Sequence, residues 1–495
     1  MVLEIQKKIK MTEENKDSAA NSSRRNFIKT TALAAAGFMI VPRHVLGGKG
    51  FLAPSDRLMV AGVGVGGKGE SDLERVYSGG KSDIAFLCDV DDRRAAGSVK
   101  RFPKAKYYKD YRQMLDKEAK NIDGVVISTP DHTHAMIAMA AMQLGKHVYV
   151  QKPLTHDIYE ARKLTEAAKR YQVVTQMGNQ GASGDGVRQL QDWCDAGLIG
   201  KVETVYCWTD RPVWPQGILW PSTAAEIPKE LDWDLWLGCA PYKPYIDKMV
   251  PFNWRGWWDY GTGAIGDMGC HLVEPPFRIL GLDTPIDVQC SVGSIYVDEF
   301  KRGYFPDSCP PSSHVIMTFE KTKKTKGNLE LHWMDGGIKP ERPEELEANE
   351  AFGANGVLFI GTKGKMMCDV YGANPRLLPL SKNAEDRTKR KTPLVPGGVD
   401  GHYTQWAEAA IAGYGKINLS SPFETAGPLT ETLLIANLAI RGTDVRRTKA
   451  DGNGFDYPGR DIKLLWDKQN LRVTNFDEVN QFVKREYRQG WSLGA

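Results

Sequence analysis

The stretch that decides the fold is LMVAGVGVGGKG, residues 58–69. Its first half, residues 58–63, is a short apolar run rich in β-branched residues, which favours a strand buried in a sheet. Closely spaced glycines follow at Gly64, Gly66 and Gly69, and a polar run that begins at Glu70 is typical of a helix. This order of strand, glycine turn and helix predicts the start of a βαβ unit whose helix N-terminus binds phosphate groups.

Each glycine of the pattern has its own physical role. Gly64 makes the tight turn, Gly66 lets the backbone approach a pyrophosphate, and Gly69 lets the helix pack closely on the strand. Gly67 belongs to a second register, Gly62-x-Gly64-x-x-Gly67, which also fits the pattern. That register cuts the strand short, so we prefer the first one.

A carboxylate follows a second apolar strand about 20 residues further on. Residues 84–88, Ile-Ala-Phe-Leu-Cys, predict this strand, and Asp89 ends it. A carboxylate at this place accepts hydrogen bonds from an adenosine ribose and repels a 2′-phosphate, which favours NAD over NADP. Arg93 and Arg94 follow closely and keep NADP open as an alternative. We therefore predict a Rossmann-type dinucleotide-binding domain.

Length and composition are those of a globular protein with more than one domain. The chain has 495 residues, of which 41% are hydrophobic and 25% are charged. The formal net charge of +4 arises in residues 1–49, which hold nine Lys/Arg and four Asp/Glu, and it predicts neither a nucleic-acid partner nor an anionic membrane surface. The eight cysteines form no C-x-x-C pair. We therefore expect no zinc ribbon, no disulfide framework and no metal site.

The N-terminal region resembles a twin-arginine export signal. Residues 23–29 read Ser-Arg-Arg-Asn-Phe-Ile-Lys, and the apolar run at 32–41 is too short to span a bilayer. We expect the twin-arginine machinery, which carries folded proteins, to export the chain to the periplasm without a stable membrane span. The expected cleavage lies near residues 47–51. A disordered tail with a chance arginine pair is the alternative.

Strands and helices alternate up to residue 177. Further strands are predicted at 124–128, 147–150 and 173–176, and helices at 111–115, 135–144 and 159–170. This alternation is typical of a doubly wound parallel sheet. Beyond it, strands are predicted at 201–209, 286–297, 313–320, 327–334 and 356–370, and helices at 187–197, 402–412 and 427–441. We predict an α/β protein with a signal at 1–49, an NAD-binding Rossmann domain at 50–177, and a substrate-binding α+β domain at 178–495 with an open, mostly antiparallel sheet.

Four motifs occur in an order that carries a family resemblance. They are Gly64-x-Gly66-Gly67-x-Gly69, Thr129-Pro130-x-x-x-His134, Lys152-Pro153 and Gly266-Asp267-x-x-x-His271. With them the chain resembles the glucose–fructose oxidoreductase / inositol dehydrogenase (Gfo/Idh/MocA) family over essentially everything after the signal. One position departs from the family pattern, because the usual Glu-Lys-Pro is Gln151-Lys152-Pro153 here. Any role carried over to the first position of that motif is therefore in doubt.

The resemblance implies a catalytic role for Lys152, a proton acceptor in His271 and a substrate ligand in Asp267. The residue types suit this chemistry, because hydride removal from a carbinol requires a group that takes the hydroxyl proton. Asp267 and His271 are four residues apart and share one face of a predicted helix. The alternatives are a surface lysine, an Asp267 that only caps the helix after Gly266, and a His271 that is satisfied in the core.

Further residues are candidate ligands of the cofactor or the sugar. Thr129, Pro130 and His134 border the nicotinamide in this interpretation, together with Lys152, or they form only a strand-end turn. Asn179 is a candidate for binding the nicotinamide amide or a sugar hydroxyl. The aromatic run at 254–260, Trp-Arg-Gly-Trp-Trp-Asp-Tyr, offers flat apolar faces and polar edges that suit a sugar pocket, although large aromatic residues also serve as core. Arg255, Trp258 and Tyr260 are its candidate sugar ligands.

The predicted reaction is hydride transfer between the nicotinamide of NAD and a carbinol carbon of a sugar, polyol or glycoside. The alternative is a glycoside hydrolase or lyase that keeps NAD bound through a redox-neutral cycle of oxidation, elimination and reduction. Such a cycle suits an exported enzyme, since little free NAD exists outside the cytoplasm. A non-catalytic sugar-binding relative is a third possibility. An uncovered apolar sheet face also predicts a homo-oligomer, either a dimer or a tetramer.

Overall fold

A six-stranded parallel sheet positions the glycine-rich turn. The computed structural model describes residues 56–494, so the predicted signal lies outside the described residues. The strand order is β3-β2-β1-β4-β5-β6. The chain builds the sheet outward in one direction from β1 and then in the other direction from β4, and this switch point opens a crevice at the carboxyl ends of the strands. The strands are β1 (Leu58–Val63), β2 (Ser82–Cys88), β3 (Lys106–Tyr108), β4 (Gly124–Ile127), β5 (His147–Gln151) and β6 (Thr175–Gly178).

Five α-helices connect these strands, and capping residues explain where three of them begin. The helices are α1 (Lys68–Ser78), α2 (Asp92–Arg101), α3 (Tyr111–Glu118), α4 (Asp131–Gln143) and α5 (Ile158–Tyr171). The carboxylates of Asp91, Asp110 and Asp157 each accept a backbone N–H from the first turn of the following helix. No side chain caps α1, which follows the glycine turn. Helix α4 begins four residues earlier than predicted, directly after Pro130.

A nine-stranded mixed sheet forms the second layer, in the order β15-β14-β13-β7-β12-β11-β8-β18-β19. Within it only β7 and β12 run parallel to each other. The predicted single strand at 356–370 is a hairpin that turns between Gly361 and Gly364. The strands after β6 are β7 (Val202–Trp208), β8 (Asp287–Val292), β9 (Tyr296–Asp298), β10 (Lys301–Arg302), β11 (Ser313–Phe319), β12 (Thr325–Met334), β13 (Gly356–Gly361), β14 (Gly364–Cys368), β15 (Arg376–Leu378), β16 (Arg447–Thr448), β17 (Phe455–Asp456), β18 (Leu464–Asp467) and β19 (Arg472–Val473).

Seven further α-helices follow β6 in the described part of the chain. They are α6 (Asp185–Asp195), α7 (Trp233–Leu237), α8 (Gly263–Leu272), α9 (Glu274–Leu280), α10 (Ser381–Glu385), α11 (Gly398–Ala412) and α12 (Phe423–Gly442). Short 3₁₀ turns lie at Ala119–Asn121, Gln180–Ser183, Asn253–Gly256, Val370–Gly372 and Asp477–Phe482. Helix α12 is buried along most of its length and contacts both α5 and β8. It therefore joins the two layers.

The C-terminal part of the chain also covers the first sheet. Tyr403 and Trp406 of α11 share a hydrophobic cluster with Val60 of β1 and Tyr149 of β5. The domain boundary at 177/178 stays a prediction. Residues from beyond this boundary, such as Tyr403 and Trp406, pack on the first sheet. Among residues 56–494, no helix is long and apolar enough to cross a membrane.

Candidate active site

A cavity of about 590 Å³ lies at the carboxyl ends of the parallel strands. Residues that follow β1, β2, β4 and β5 form one wall, among them Gly64, Asp89, Thr129 and Lys152. The opposite wall comes from the loop before α8 and from α8 itself. The residues there include Trp214, Phe252, Trp254, Arg255, Asp267 and His271. The cavity therefore brings together the glycine turn and the predicted catalytic residues.

The glycine turn has the geometry of a cradle for a phosphate group. Gly64 has a φ of +74°, in the left-handed region that favours glycine. A Cβ on Gly69 would overlap the carbonyl oxygen of Gly64, so the close approach of α1 to the turn requires glycine. Gly64 and Gly66 line the cavity, whereas Gly67 and Gly69 lie behind it. The preferred register, Gly64, Gly66 and Gly69, thus has a physical reason at its first and last positions.

Asp89 lies on the cavity wall and also holds the glycine turn. One carboxylate oxygen accepts the N–H groups of Val65 at 2.8 Å and Gly66 at 3.2 Å, and the other accepts the N–H of Asp91 at 3.0 Å. Burial raises the pKa of Asp89, while these backbone donors act to lower it. The sequence predicted only the ribose contact. The structure adds a bracing role for the same carboxylate.

The two arginines behind Asp89 are placed differently. Arg93 forms an ion pair with the carboxylate of Asp91 at 2.6 Å, and it is not among the residues that line the cavity. Arg94 lines the cavity and packs against Gly66. Arg94 is therefore the arginine that keeps a 2′-phosphate possible at this end of the cavity.

Lys152 and Asp267 form a half-buried ion pair. The Nζ atom of Lys152 donates to Oδ1 and to the backbone oxygen of Asp267, both at 2.7 Å, and Nε of Arg255 lies 3.3 Å from the same Oδ1. Burial alone would raise the pKa of Asp267, but the charges of Lys152 and Arg255 outweigh it and lower that pKa to about 2. Helix α8 begins at Gly263, so Asp267 lies inside the helix and the capping alternative does not apply.

His271 lies one helical turn beyond Asp267 on the same cavity wall. Its ring is buried, its Nδ1 lies 3.2 Å from Oδ1 of Asn179, and it meets the ring of Tyr371 edge to face at 4.5 Å. Burial and the nearby Lys152 hold the pKa of His271 well below its usual value, so the imidazole is neutral. Because Oδ1 of Asn179 can only accept, Nδ1 carries the ring proton and Nε2 is free to accept one. Tyr371 was not predicted.

Besides Gly67 and Gly69, four predicted ligands do not line the cavity, and they are Asn179, His134, Trp258 and Tyr260. Asn179 is buried and contacts the cavity residue His271 through its Oδ1. The ring nitrogens of His134 lie 2.7 Å and 2.8 Å from the carbonyl oxygens of Pro153 and Thr129, so His134 braces two wall segments from behind. Trp258 packs in the main core, and Tyr260 is fully buried in the aromatic cluster around Trp236. Large aromatic residues gain most when fully buried, which explains this correction.

The cavity wall also holds groups that the sequence did not single out as site residues. Trp214, Phe252 and Trp254 form the aromatic part of the wall, and Phe252 is 43% exposed. The guanidinium of Arg255 lies over the rings of Phe252 and Trp254, at 4.6 Å and 4.4 Å. Trp254 belongs to the aromatic run that was predicted to face the sugar. Membership of that run was the available signal, but it does not single out Trp254.

Asp131 is a further buried carboxyl on the wall. It is 5% exposed, and its Oδ2 accepts the hydroxyl of Thr262 at 2.8 Å. Burial raises its pKa to about 7, although Arg255 and Lys152 act in the opposite direction. Its position inside the Thr129-Pro130-x-x-x-His134 motif was the available signal, but only Thr129, Pro130 and His134 of that motif were predicted as ligands.

Comparison with known proteins finds two matching family models. Residues 58–179 match the oxidoreductase family model described as an NAD-binding Rossmann fold, and residues 198–301 match its C-terminal alpha/beta domain. Over these two stretches the chain is similar to the Gfo/Idh/MocA oxidoreductase family. The glycine cradle and Asp89 fit an NAD cofactor.

The curated relatives that it matches carry the name of a glycosidase family. A glycosyl hydrolase family 109 protein of Shewanella pealeana is 30% identical over 173 residues, which are 30% of this chain and 38% of the relative. A protein of the same name from Shewanella baltica is 31% identical over 176 residues, again 38% of its length. The match therefore spans less than half of the length of these relatives.

Solved structures share the fold at low sequence identity. A levoglucosan dehydrogenase in complex with NADH has a TM-score of 0.51 and 17% identity, covering 77% of this chain and 97% of its own. The WlbA dehydrogenase of Bordetella pertussis, in complex with NADH and UDP-GlcNAcA, has a TM-score of 0.50 and 14% identity, covering 78% and 97%. These likenesses show a common architecture for the two layers.

Proposed function

We propose that the protein is an NAD-dependent oxidoreductase that transfers a hydride between nicotinamide and a carbinol carbon of a sugar, polyol or glycoside. The observation that carries this proposal is the Lys152–Asp267 ion pair beside a neutral His271, on one cavity with the glycine turn. NAD, when bound, supplies the hydride acceptor. The residues of the chain supply binding, orientation and proton transfer.

The first wall binds the cofactor in this proposal. The backbone at Gly64 and Gly66 and the N-terminus of α1 hold the pyrophosphate, and Asp89 accepts the ribose hydroxyls. Thr129 and Pro130, which line the same wall, border the nicotinamide. Asn179 supports this arrangement, because its buried Nδ2 has no partner among the described residues and is available to an amide or hydroxyl oxygen.

The second wall orients the carbohydrate and moves its proton. Nε2 of His271 accepts the proton of the reacting hydroxyl, and the ammonium of Lys152 donates a hydrogen bond to the same oxygen as negative charge develops on it. Asp267 holds the ammonium in place and accepts a hydrogen bond from a second hydroxyl. Arg255 keeps the carboxylate of Asp267 fixed from the side of the aromatic wall.

The test is turnover with added NAD. The purified protein is mixed with NAD and a panel of free sugars and polyols, and the absorbance of reduced nicotinamide is followed. At least one carbohydrate should give saturable reduction in the wild type. If no carbohydrate reduces the cofactor and no glycoside is cleaved, the proposal is rejected.

A second candidate function is glycoside cleavage with retained NAD, and the name of the curated relatives favours it. In this cycle a carbinol is oxidised, the neighbouring C–H bond loses its proton, the aglycone leaves, water adds, and the ketone is reduced again. Nitrophenyl glycosides distinguish the two functions. Cleavage predicts that nitrophenol is released without net reduction of the cofactor and without added NAD. A plain dehydrogenase releases no nitrophenol and requires added NAD, which it reduces.

We also propose export through the twin-arginine machinery to the periplasm. Arg24 and Arg25, within residues 23–29, support this proposal. Cell fractionation of the full chain should find the mature protein in the periplasm. The double variant Arg24→Lys/Arg25→Lys should stay in the cytoplasm, and equal export of both proteins would reject the proposal.

A homo-oligomer, dimer or tetramer, is the last part of the proposal. Side chains on the outer face of the second sheet, such as Tyr206, Ile316 and His332, are only half-buried, and such a face gains stability from a partner. Light scattering after gel filtration should give a mass of two or four chains. A mass of one chain at micromolar concentration would contradict this.

A further inference from the structure

Asp72 is a buried carboxylate behind the glycine turn, and four side chains donate hydrogen bonds to it. It lies on α1 with an exposed fraction of 0%. Its Oδ1 accepts the hydroxyl of Tyr403 at 2.9 Å and the ammonium of Lys68. Its Oδ2 accepts the hydroxyl of Ser128 at 2.8 Å and the side-chain amide of Gln151 at 2.8 Å. One charge therefore connects α1, the end of β4, the end of β5 and α11.

Gln151 links Asp72 to the backbone of Lys152 by hydrogen bonds. Its Nε2 donates to Asp72, and its Oε1 accepts the backbone N–H of Lys152 at 3.3 Å. An ionised carboxylate can only accept and a backbone N–H can only donate, so a side chain between them must do both. An amide does so in one orientation, whereas a carboxylate at position 151 would face the carboxylate of Asp72. Because Gln151 is 5% exposed, water does not relieve such a clash.

We propose that Asp72 and Gln151 are a positioning pair that fixes Lys152 relative to the glycine-turn helix α1. The inference rests on the proposed function, in which Lys152 acts on the substrate oxygen. It gives a physical reason for the one departure from the family motif, since here the carboxylate comes from the helix and the strand supplies the amide. Ser128 extends the same connection to the segment just before Thr129 and Pro130.

Two single substitutions break the pair without removing a side chain. In Asp72→Asn, Oδ1 keeps Lys68 and Tyr403, and the hydroxyl of Ser128 can turn to accept from the new Nδ2. The same Nδ2 faces the Nε2 of Gln151, however, so two donors meet. In Gln151→Glu, two carboxylates meet. In the double variant Asp72→Asn/Gln151→Glu, the asparagine donates, the glutamate accepts from both sides, and the connection is restored with reversed polarity.

The experiment measures turnover and the accessibility of the Lys152 amine in all four proteins. Accessibility is the rate of acetylation by acetic anhydride, followed by peptide mass spectrometry relative to the other lysines. Each single variant should lower kcat about tenfold or more, with a smaller change in KM, and should speed the labelling of Lys152 by about threefold or more. The double variant should return both quantities to within about threefold of the wild type.

A matched control separates positioning from general stability. Asp192 is 4% exposed and accepts three hydrogen bonds from Lys391 and Thr392, and it is not among the residues that line the cavity. Asp192→Asn should lower the melting temperature while leaving kcat and the labelling of Lys152 unchanged.

The inference is overturned if the single variants leave the labelling of Lys152 unchanged, or if the double variant fails to recover. It is also overturned if stability alone recovers while kcat does not. If the wild type turns over no carbohydrate, the proposed function fails, and the labelling rates alone decide whether the pair positions Lys152.

Discussion

Lys152 is the residue on which the proposed chemistry depends most directly. It is half-buried and its ammonium already lies against Asp267, so its position is set before a substrate arrives. Its neighbours hold different charges for different reasons. Asp267 stays ionised because two cations face it, and His271 stays neutral because it is buried beside one of them.

Lys152→Met removes the ammonium and keeps the length of the side chain. We expect kcat to fall by about 10²–10⁴-fold, the usual contribution of a positioned acid–base group. NAD affinity should change far less, because the glycine turn is untouched. Stopped-flow absorbance gives kcat, and calorimetry gives the affinity. Lys163→Met, which removes a lysine paired with Glu166 outside the cavity, is the control and should keep full activity.

Asp131 should affect the pH dependence of stability. Its pKa in the fold is about 7, above the unfolded value, so the folded protein holds a proton that the unfolded chain releases between about pH 4 and pH 7. This group therefore lowers stability as pH rises through that window. Asp131→Asn, which does not titrate, should gain up to about 4 kcal/mol of unfolding free energy relative to the wild type between pH 4 and pH 8. Denaturant unfolding at both pH values measures this difference, and an unchanged difference would contradict it.

Site residues could be predicted from the sequence where a motif gave both the residue type and its place at the end of a strand or on a helix. Lys152, Asp267 and His271 were named from the sequence, and they line one cavity. Trp258 and Tyr260 were not separable from Trp254 by sequence. The aromatic run has one composition throughout, and only packing decides which ring faces the cavity.

At the scale of elements, the glycine turn and α1 form the most tightly constrained piece. A helix that touches the carbonyl oxygen of Gly64 has no room for a side chain at position 69. This restriction is steric, so it outweighs the better helix propensity of alanine, which is worth about 1 kcal/mol.

Gly69→Ala should therefore destabilise the protein by about 1–3 kcal/mol, the usual cost of overpacking, and weaken NAD binding. Gly327→Ala is the matched control, because nothing lies within 4 Å of its added Cβ and its φ is ordinary. Thermal unfolding and a cofactor titration measure both effects. Equal melting temperatures for the two variants would show that α1 can move away from the turn.

Most elements of the first sheet were predicted, because parallel strands buried on both faces read as continuous apolar runs. Helix α2 was missed, since only Ala95 and Ser98 are buried and few of its residues are apolar. The hairpin of β13 and β14 was read as one strand. Both halves of it are apolar, and the two-residue turn between them has no strong signal.

At the scale of the whole molecule, the packing of helices from the C-terminal part of the chain connects the two layers. Helix α11 packs on the first sheet in one hydrophobic cluster and α12 lies between the layers in another, so each cluster joins segments that are far apart in sequence. Such long-range packing leaves no local sequence signal. For this reason a boundary at residue 177 could be proposed from composition, but the placement of α11 could not.

Buried histidines should make the protein sensitive to acid. Burial lowers the pKa of all eight histidines in the described region, to about 3 for His132 and about 4 for His332 and His402. A histidine with a lowered pKa in the fold favours the folded state while it is neutral. Its contribution to the free energy of unfolding is fully present above about pH 6.5 and is lost as the pH falls towards the pKa in the fold. The buried carboxyls with raised pKa act in the opposite direction, but they are fewer.

The melting temperature should therefore fall from pH 6.5 to pH 4.5. His402→Gln should make this fall smaller, because glutamine does not titrate. At the acid end the variant should lose less unfolding free energy than the wild type, by on the order of 3 kcal/mol. Calorimetry over the pH series measures the effect. A melting temperature that rises on acidification would show that the carboxyls dominate.

The most direct test of the account is a single-turnover measurement of cofactor reduction in the wild type and in Lys152→Met. Both candidate reactions begin with oxidation of a carbinol, so both predict reduced nicotinamide after mixing with substrate, lasting in a dehydrogenase and transient in a glycosidase. The account predicts this absorbance in the wild type and its loss in the variant. No absorbance with any carbohydrate or glycoside, or an equal rate in the variant, would contradict the claim that hydride transfer occurs in this cavity through Lys152.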